Sequence, residues 1–272
     1  MAGATAVYTD VRDEIFASLS ERSFKAQIIA EHAGVIAGMS RLALKLSADG
    51  IYAELMVADG TAINAGDRLA ILHGSAKQIA CAEEYAIGFL AKPSGIATAA
   101  HRAVCEAGES MRIVCGAWKK MPSEVKSIVR DAVTCGQAFF RICDQPFLYL
   151  DKNFVRMFGG VAQTLKAVES IKDKKKAIQV KGDQAAVVEQ ALTAARSGAD
   201  IIMVDTGDLA AFLQVQERLL KAGLRERLQL AFAQGIQLND IAGLRGQGID
   251  ILDIGVAILD APLLDMRLEV YE

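Results

Sequence analysis

The sequence predicts an α/β protein, in which a small N-terminal α+β domain precedes a domain of repeated strand–helix units. From Arg112 onward, continuous apolar runs typical of buried parallel strands alternate with amphipathic helical runs. Glycines follow several helical runs at the position that favours a left-handed residue, namely Gly136, Gly198, Gly223 and Gly248. Repeated units of this kind predict a parallel sheet, which right-handed crossovers close most simply into a barrel.

The first third of the chain mixes strand and helix patterns. Helical spacing at 11–19 is followed by a predicted strand at 25–32, a helix at 35–46 and strands at 51–57 and 67–73. Residues 77–108 are mostly helical, but Pro93 lacks a backbone N–H and predicts a break just before it.

Domain boundaries follow from this change of pattern. We predict a first domain of residues 1–108, which the C-terminal segment 263–272 joins as a strand, and a second domain of residues 109–262. Strands of the second domain are predicted at 113–117, 139–143, 147–150, 177–180, 201–204, 228–232 and 251–254. Helices are predicted between them at 123–134, 161–171, 185–197, 209–222 and 238–245.

Composition excludes several classes of protein. The chain has 272 residues, of which 52% are hydrophobic, and this content rules out wholesale disorder. Its formal net charge of -3 argues against a protein built to wrap nucleic acid. No apolar run is long enough for a membrane span, and the N-terminus lacks the features of a signal peptide, so we expect a cytoplasmic protein. The five cysteines form no CxxC pair and the three histidines lie far apart, so we predict no protein-held metal site.

Two lysines stand at a position where ligands bind in such folds. Lys119 and Lys120 follow the apolar run Met111–Cys115 and precede Pro122, which suits the first turn of a helix. Ligands of parallel α/β folds bind at the carboxyl ends of strands, so this pair predicts an anion site. The alternative interpretation, that both lysines are solvated loop charges, stays open.

Several segments in order resemble a known family. AQIIAEHAGVIAGM, FLAKPSGIATAAHR, GADIIMVDTGDL and the run from Leu228 to Leu268 are similar to segments of the quinolinate phosphoribosyltransferase family, also called nicotinate-nucleotide pyrophosphorylase. The resemblance covers nearly the whole chain. It implies an α/β sandwich followed by an incomplete, open α/β barrel. It also implies a homodimer in which the partner subunit completes each active site.

The resemblance implies a chemistry as well. The family acts in pyridine nucleotide biosynthesis and transfers phosphoribose from phosphoribosyl pyrophosphate to a pyridine dicarboxylate, with loss of carbon dioxide. Both substrates are anionic, so such a site needs Arg and Lys, and magnesium is expected for the pyrophosphate if this transfer is retained.

The family motifs can be carried onto this sequence residue by residue. They imply catalytic roles for Lys119, Lys181 and Asp205. They imply substrate-binding roles for Arg102, Trp118, Lys120, Phe140, Arg141, Asp151, Asn153, Gln234, Gly235 and Gly255.

The sequence departs from the family motifs where basic residues are expected. Trp118 stands where the family has an arginine, Phe140 and Phe154 where it has histidines, and Glu84 where it offers an arginine across the dimer. Gln234 replaces a glycine of the phosphate turn, which argues against an unchanged turn. These departures predict a pocket that is more aromatic and less basic, and they argue against the standard quinolinate reaction.

The sequence therefore predicts a diverged phosphoribosyltransferase-like protein that acts on a pyridine carboxylate or a related heterocycle. Two alternatives stay open. The scaffold could bind a different, less anionic aromatic ligand, or it could serve as a non-catalytic dimeric accessory protein. We expect a small-molecule ligand, and neither nucleic acid nor membrane as a partner.

Overall fold

The structure is a computed structural model that describes residues 10–272. In this range the strands are β1 Ser23–Ala30, β2 Gly34–Val35, β3 Tyr52–Leu55, β4 Ala62–Ile63, β5 Arg68–Ser75, β6 Arg112–Val114, β7 Phe147–Leu150, β8 Lys175–Val180, β9 Ile201–Asp205, β10 Gln229–Ala233, β11 Ile251–Asp253 and β12 Met266–Val270. The α-helices are α1 Arg12–Ile15, α2 Met39–Ala48, α3 Ala76–Ala107, α4 Ser123–Cys135, α5 Lys152–Met157, α6 Val161–Ala167, α7 Val187–Arg196, α8 Leu209–Lys221, α9 Ile241–Leu244 and α10 Val256–Leu259.

The chain divides into two compact units. One comprises the described residues up to Thr98 together with Pro262–Glu272, and the other comprises Ala99–Ala261. The division falls inside helix α3, whereas the sequence placed it at the end of that helical run. Within residues 10–272, no helix has both the length and the apolar character needed to cross a membrane.

The first unit contains a four-stranded antiparallel sheet. Its strand order is β12-β1-β5-β3, and the C-terminal strand β12 pairs with β1. Alternate residues of β1, Ala26, Ile28 and Ala30, are buried against helix α2, which buries Met39 and Leu42 on one face. The buried residues, which recur at every second position of the strand and at helical spacing along α2, thus form one apolar core.

Helix α2 begins at Met39, later than the predicted start at residue 35. Gly38 has φ +102°, a left-handed conformation that ends the preceding extended segment. The Asp59 carboxylate accepts hydrogen bonds from the backbone N–H groups of Met39 at 2.8 Å and Ser40 at 3.0 Å. A distant side chain therefore caps this helix, and such a cap leaves no local signal in the sequence.

Helix α3 runs without interruption through Pro93, so the predicted break is wrong. Proline leaves the Phe89 carbonyl, four residues earlier, without its helical donor, at a cost of about 3 kcal/mol. The rest of the unit holds the helix in place. The buried Ser94 hydroxyl accepts from Ala37 N at 3.0 Å, and Gly38 packs so closely that a Cβ there would lie 2.1 Å from the Phe89 oxygen. Tertiary packing overrides the local preference.

The second unit is built on a six-stranded parallel sheet with the order β6-β11-β10-β9-β8-β7. Residues Ile201 to Val204 of the central strand β9 are all buried, as expected for a strand covered on both faces. Strands β6 and β7 stand at the two ends of this order and do not pair with each other. The sheet curls without closing, so the predicted fold class, a small α/β domain followed by an open α/β barrel, is confirmed.

The predicted strand at 139–143 is wrong. Only Phe139 forms a β-bridge, parallel to Val114, and the Phe140 carbonyl accepts a hydrogen bond from the Trp118 indole at 2.7 Å instead of pairing with a strand. Side-chain packing beside the open edge of the sheet has replaced strand pairing here.

Of the four predicted helix-closing glycines, Gly198, Gly223 and Gly248 have positive φ, but Gly136 does not. Gln137 takes the left-handed position there, with φ +65°.

Candidate active site

The carboxyl ends of the parallel strands border a cavity of about 610 Å³, here called the strand-end cavity. Because all parallel strands end at the same edge of a sheet, residues distant in sequence meet there. The charged residues of its lining are Lys119, Lys120, Asp151, Lys152, Lys181, Asp205 and Asp253.

Lys181 and Asp205, two predicted catalytic residues, form an ion pair in this cavity. The Lys181 ammonium donates to Asp205 Oδ2 at 2.6 Å and to the Asp205 carbonyl at 3.0 Å. Their side chains are only 26% and 17% exposed. The Gln179 amide also donates to Asp205 Oδ2. Asp205 is thus held in one orientation by two neighbours from the end of strand β8.

Gln234 adopts a left-handed backbone conformation, with φ +84°, immediately after strand β10. A non-glycine residue in this region is strained by about 1–2 kcal/mol, and such strain clusters at functional sites. Its side-chain oxygen accepts from the Lys181 ammonium at 3.0 Å. The following residue, Gly235, also has positive φ, and a Cβ there would meet nothing within 4 Å. The backbone turn therefore faces open space in the cavity, and the Gln234 side chain lies toward Lys181.

A second cavity, of about 460 Å³, adjoins the first and is here called the aromatic cavity. Its ring-bearing and basic lining consists of Trp118, Phe140, Phe147, Tyr149, Lys119, Arg130 and Arg141. The Trp118 and Phe140 rings meet edge to face, with centroids 6.4 Å apart. The Arg130 guanidinium lies 5.0 Å from the Trp118 ring centroid, and Arg141 lies 5.3 Å from that of Phe147. Such walls suit a flat ring.

Lys119 lines both cavities, and Lys120 lines the strand-end cavity. The Lys119 ammonium lies 5.3 Å from the centroid of the Tyr149 ring. The Tyr149 hydroxyl donates to Met203 Sδ at 3.0 Å, and burial raises the pKa of this phenol. Lys119 is therefore placed to reach a ligand in either cavity, whereas Tyr149 remains neutral and forms part of the wall between them.

Asp253, at the end of strand β11, was missed at the sequence level. It lines both cavities, and its Oδ1 accepts a hydrogen bond from the Gly116 backbone N–H at 3.0 Å. Burial raises the pKa of this carboxyl above its usual value, and Asp205 acts in the same direction. Lys119 and Lys120 oppose the shift. The available signal was an aspartate at the end of a continuous apolar run, as at Asp205.

The described residues contain no group of three or more His, Cys, Asp or Glu side chains arranged to hold a metal ion. Asp205 is engaged by Lys181, and Asp151 accepts from the backbone N–H groups of Asn153 and Phe154, capping helix α5. These side chains do not fit a protein-held magnesium site.

Comparison with known proteins identifies the family. The family profile for the quinolinate phosphoribosyl transferase N-terminal domain matches residues 7–94, and the profile for its C-terminal domain matches residues 96–269. The chain belongs to this family. A probable nicotinate-nucleotide pyrophosphorylase [carboxylating] of Archaeoglobus fulgidus is 27% identical, over 94% of this chain and 97% of its own length. The human nicotinate-nucleotide pyrophosphorylase [carboxylating] is 26% identical, over 91% of this chain and 82% of its own length.

Solved structures of the family share the fold. The nicotinate-nucleotide pyrophosphorylase from Francisella tularensis matches with a TM-score of 0.82 at 20% identity, covering 97% of this chain and 91% of that one. NadC from Streptococcus pyogenes matches with a TM-score of 0.79 at 21% identity, covering 96% of this chain and 91% of that one.

The structure brings most of the residues carried over from the family motifs into the two cavities. Gly255 lines the strand-end cavity and lies so close to Ala117 that a Cβ would come within 2.9 Å of that side chain. Two predicted residues lie outside the lining of both cavities. Arg102 is exposed and donates to Asn239 Oδ1 at 2.5 Å, and the exposed Asn153 lies in the first turn of helix α5.

Glu84, which the sequence resemblance aligns with an arginine of the family, is exposed on helix α3. It accepts a hydrogen bond from the Arg12 guanidinium within the first unit.

Proposed function

We propose that this chain transfers a phosphoribosyl group from phosphoribosyl pyrophosphate to a ring nitrogen of a planar heterocycle, such as a pyridine carboxylate or a related ring. The observation that carries the proposal is the strand-end cavity of a family member, in which four lysines, Lys119, Lys120, Lys152 and Lys181, outnumber the three aspartates. An excess of positive charge at the carboxyl ends of parallel strands favours a phosphorylated ligand.

Lys119 and Lys120 are the residues best placed to bind the pyrophosphate of the donor. Both are exposed and follow strand β6, and no carboxylate of the described residues lies within ion-pair distance of them. Lys181, in contrast, already bonds Asp205 and Gln234. We therefore assign Lys181 to holding Asp205 in position. Asp205 would accept hydrogen bonds from ribose hydroxyls, as a fixed carboxylate can.

The aromatic cavity is the proposed site of the acceptor ring. Trp118 and Phe140 supply apolar surface where the family motifs have an arginine and a histidine, and Lys119, Arg130 and Arg141 supply the positive charge of the lining. During the transfer, the bond between ribose C1 and the pyrophosphate oxygen breaks, and the bonding electrons leave with the pyrophosphate. The acceptor nitrogen forms the new bond to C1.

A transfer assay tests the proposal. The protein is incubated with phosphoribosyl pyrophosphate, magnesium and one acceptor at a time, and pyrophosphate release is followed by phosphorus NMR. Quinolinate, nicotinate and a neutral azole form the acceptor series. We expect acceptor-dependent release with a heterocycle that carries fewer negative charges than quinolinate. Release no faster than in protein-free controls for every acceptor would refute the proposal.

A second candidate function is binding without catalysis. The observation that favours it is the aromatic cavity itself, in which Arg130 lies against the ring of Trp118 and Arg141 against the ring of Phe147. A flat, weakly anionic ligand fits these walls without any chemistry. Saturable binding of such a ligand, together with no effect of phosphoribosyl pyrophosphate on its affinity and no turnover, would favour this candidate.

We further propose a cytoplasmic homodimer whose partner subunit completes the site, as the family resemblance implies. Light scattering coupled to gel filtration tests the dimer, and a monomer at micromolar concentration would contradict it. Because the described side chains form no magnesium-binding cluster, we expect magnesium to be held mainly by the donor phosphates. No step proposed above depends on it.

A further inference from the structure

Asp253 occupies a singular position between the two cavities. It lines both of them, and it is the only carboxylate among the described residues that lines the aromatic cavity. A ligand ring resting against Trp118 and Phe140 therefore meets one acidic group, at the side where the strand-end cavity begins. If the donor occupies that cavity, the carboxylate lies at the junction of donor and acceptor.

The hydrogen bonding of Asp253 leaves one oxygen available. Oδ1 accepts from the Gly116 N–H at 3.0 Å, and Oδ2 accepts from no residue that the structure describes. A Cβ at position 116 would lie 3.0 Å from Oδ2, so glycine there leaves room beside that oxygen. Across residues 10–272, no Lys, Arg or His nitrogen forms an ion pair with this carboxylate, in contrast to Asp205.

A carboxylate oxygen accepts hydrogen bonds and donates none when it is ionised. Placed at the edge of an aromatic-walled cavity, it selects a ring that carries an N–H and disfavours a ring whose nitrogen presents a lone pair. The N–H of an azole meets this requirement, whereas the nitrogen of a pyridine does not.

We propose that Asp253 binds the acceptor, and that the acceptor is an azole-type heterocycle whose ring N–H donates to Asp253 Oδ2 while the ring lies in the aromatic cavity. The substrate class follows from the proposed phosphoribosyl transfer, but the binding contact can be tested without it.

The contact also completes the proton balance of the transfer. When an azole nitrogen bonds to ribose C1, the bond from C1 to pyrophosphate breaks and its electron pair leaves with the pyrophosphate. The N–H bond breaks as well, and its electrons remain in the ring. The proton passes to Asp253 Oδ2 and then to solvent. A pyridine nitrogen has no proton to lose and would need no such group.

The chain contains a single tryptophan, Trp118, which lines the aromatic cavity, so its fluorescence reports occupancy directly. Benzimidazole and 1-methylbenzimidazole are suitable probes because the second lacks the N–H. A hydrogen bond to a charged group contributes about 1.5–3 kcal/mol, so we expect benzimidazole to bind at least about tenfold more tightly than its methylated analogue.

The Asp253→Asn variant tests the contact. The Gly116 N–H needs the amide oxygen, so the amide NH₂ group would face the ligand N–H, and the preference should fall below about threefold. Asp144, an exposed aspartate that pairs with Arg112 and lines neither cavity, supplies the control, and the Asp144→Asn variant should keep the full preference. A preference below about threefold in the wild type, or one that survives in Asp253→Asn, overturns the inference.

Pyrophosphate release separates this inference from the proposed function. An N–H preference that depends on Asp253, without release from any acceptor, supports the inference and refutes the transfer. Release with quinolinate and no N–H preference refutes the inference and leaves the transfer intact.

Discussion

Breaking the Lys181–Asp205 ion pair should destabilise the protein more than breaking a similar pair at the other end of the same strands. Lys175 begins strand β8 and Asp200 precedes strand β9, and their side chains meet at 2.9 Å. Both pairs thus join a lysine and an aspartate across β8 and β9. They differ in exposure, which is 26% and 17% for Lys181 and Asp205 but 46% and 34% for Lys175 and Asp200.

The magnitudes follow from this difference. At the 2.6 Å separation of Lys181 and Asp205, an effective dielectric constant of about 20 gives a charge–charge energy of about 6 kcal/mol. Loss of hydration offsets most of it, which leaves a coupling energy of about 2 kcal/mol. The more exposed Lys175–Asp200 pair should couple by about 0.2–1 kcal/mol.

A double-mutant cycle measures both values by urea unfolding. Lys181→Met, Asp205→Asn and the double variant form one cycle, and Lys175→Met, Asp200→Asn and their double variant form the control. We expect the first coupling energy to exceed the second by about 1 kcal/mol or more. Equal coupling energies would contradict our assignment of Lys181 as the residue that holds Asp205.

Three further variants test other features. Burial raises the pKa of Asp253, so the folded state binds the carboxyl proton more tightly than the unfolded state does. The stability that this proton contributes is therefore present at low pH and is lost as the pH rises through the folded-state pKa. Asp253→Asn should therefore raise the thermal midpoint near neutral pH, with the gain shrinking in acid, and a lower midpoint at neutral pH would refute this reasoning. Gln137 and Gln234 both have positive φ, at 65° and 84°. Gln137→Gly should raise the free energy of unfolding by about 1 kcal/mol, because it relieves the strain. Gln234→Gly should raise it by about 0.5–1.5 kcal/mol less than Gln137→Gly does, because it also loses the hydrogen bond to Lys181. A larger increase for Gln234→Gly than for Gln137→Gly in urea unfolding would show that this hydrogen bond contributes nothing.

Strong periodic patterns made most of the second unit predictable. Strand β9 appears in the sequence as a continuous apolar run, because a strand covered on both faces needs apolar residues at every position. Strand β7, at one end of the sheet, is also a continuous apolar run, although only Leu150 of its four residues is fully buried. The segment 139–143 is also mostly apolar, apart from Arg141, but it lies beside the open edge, where it makes a single bridge. Pro93 failed as a helix breaker because contacts from residues 37 and 38, far away in sequence, stabilise the helix. No local pattern contains such information.

The candidate site was predictable where strand ends carry charge. Lys119 followed from its position after an apolar run and from the family resemblance, and Lys181 and Asp205 followed from the resemblance. Asp253 and Arg130 did not, for different reasons. Asp253 lies within the predicted strand 251–254, and its importance depends on the close approach of Gly116. Arg130 lies on helix α4 and reaches the aromatic cavity only because that helix packs beside Trp118.

Binding of phosphoribosyl pyrophosphate tests the central claim, that the strand-end cavity holds the phosphoribosyl donor. Calorimetric titration, with magnesium present, should give saturable binding that Lys119→Ala weakens at least about tenfold, since a charge-assisted bond contributes about 1.5–3 kcal/mol. Lys175→Ala, at the opposite end of the same sheet, should leave the affinity unchanged. Absence of binding to the wild type, or equal loss in both variants, would contradict the account.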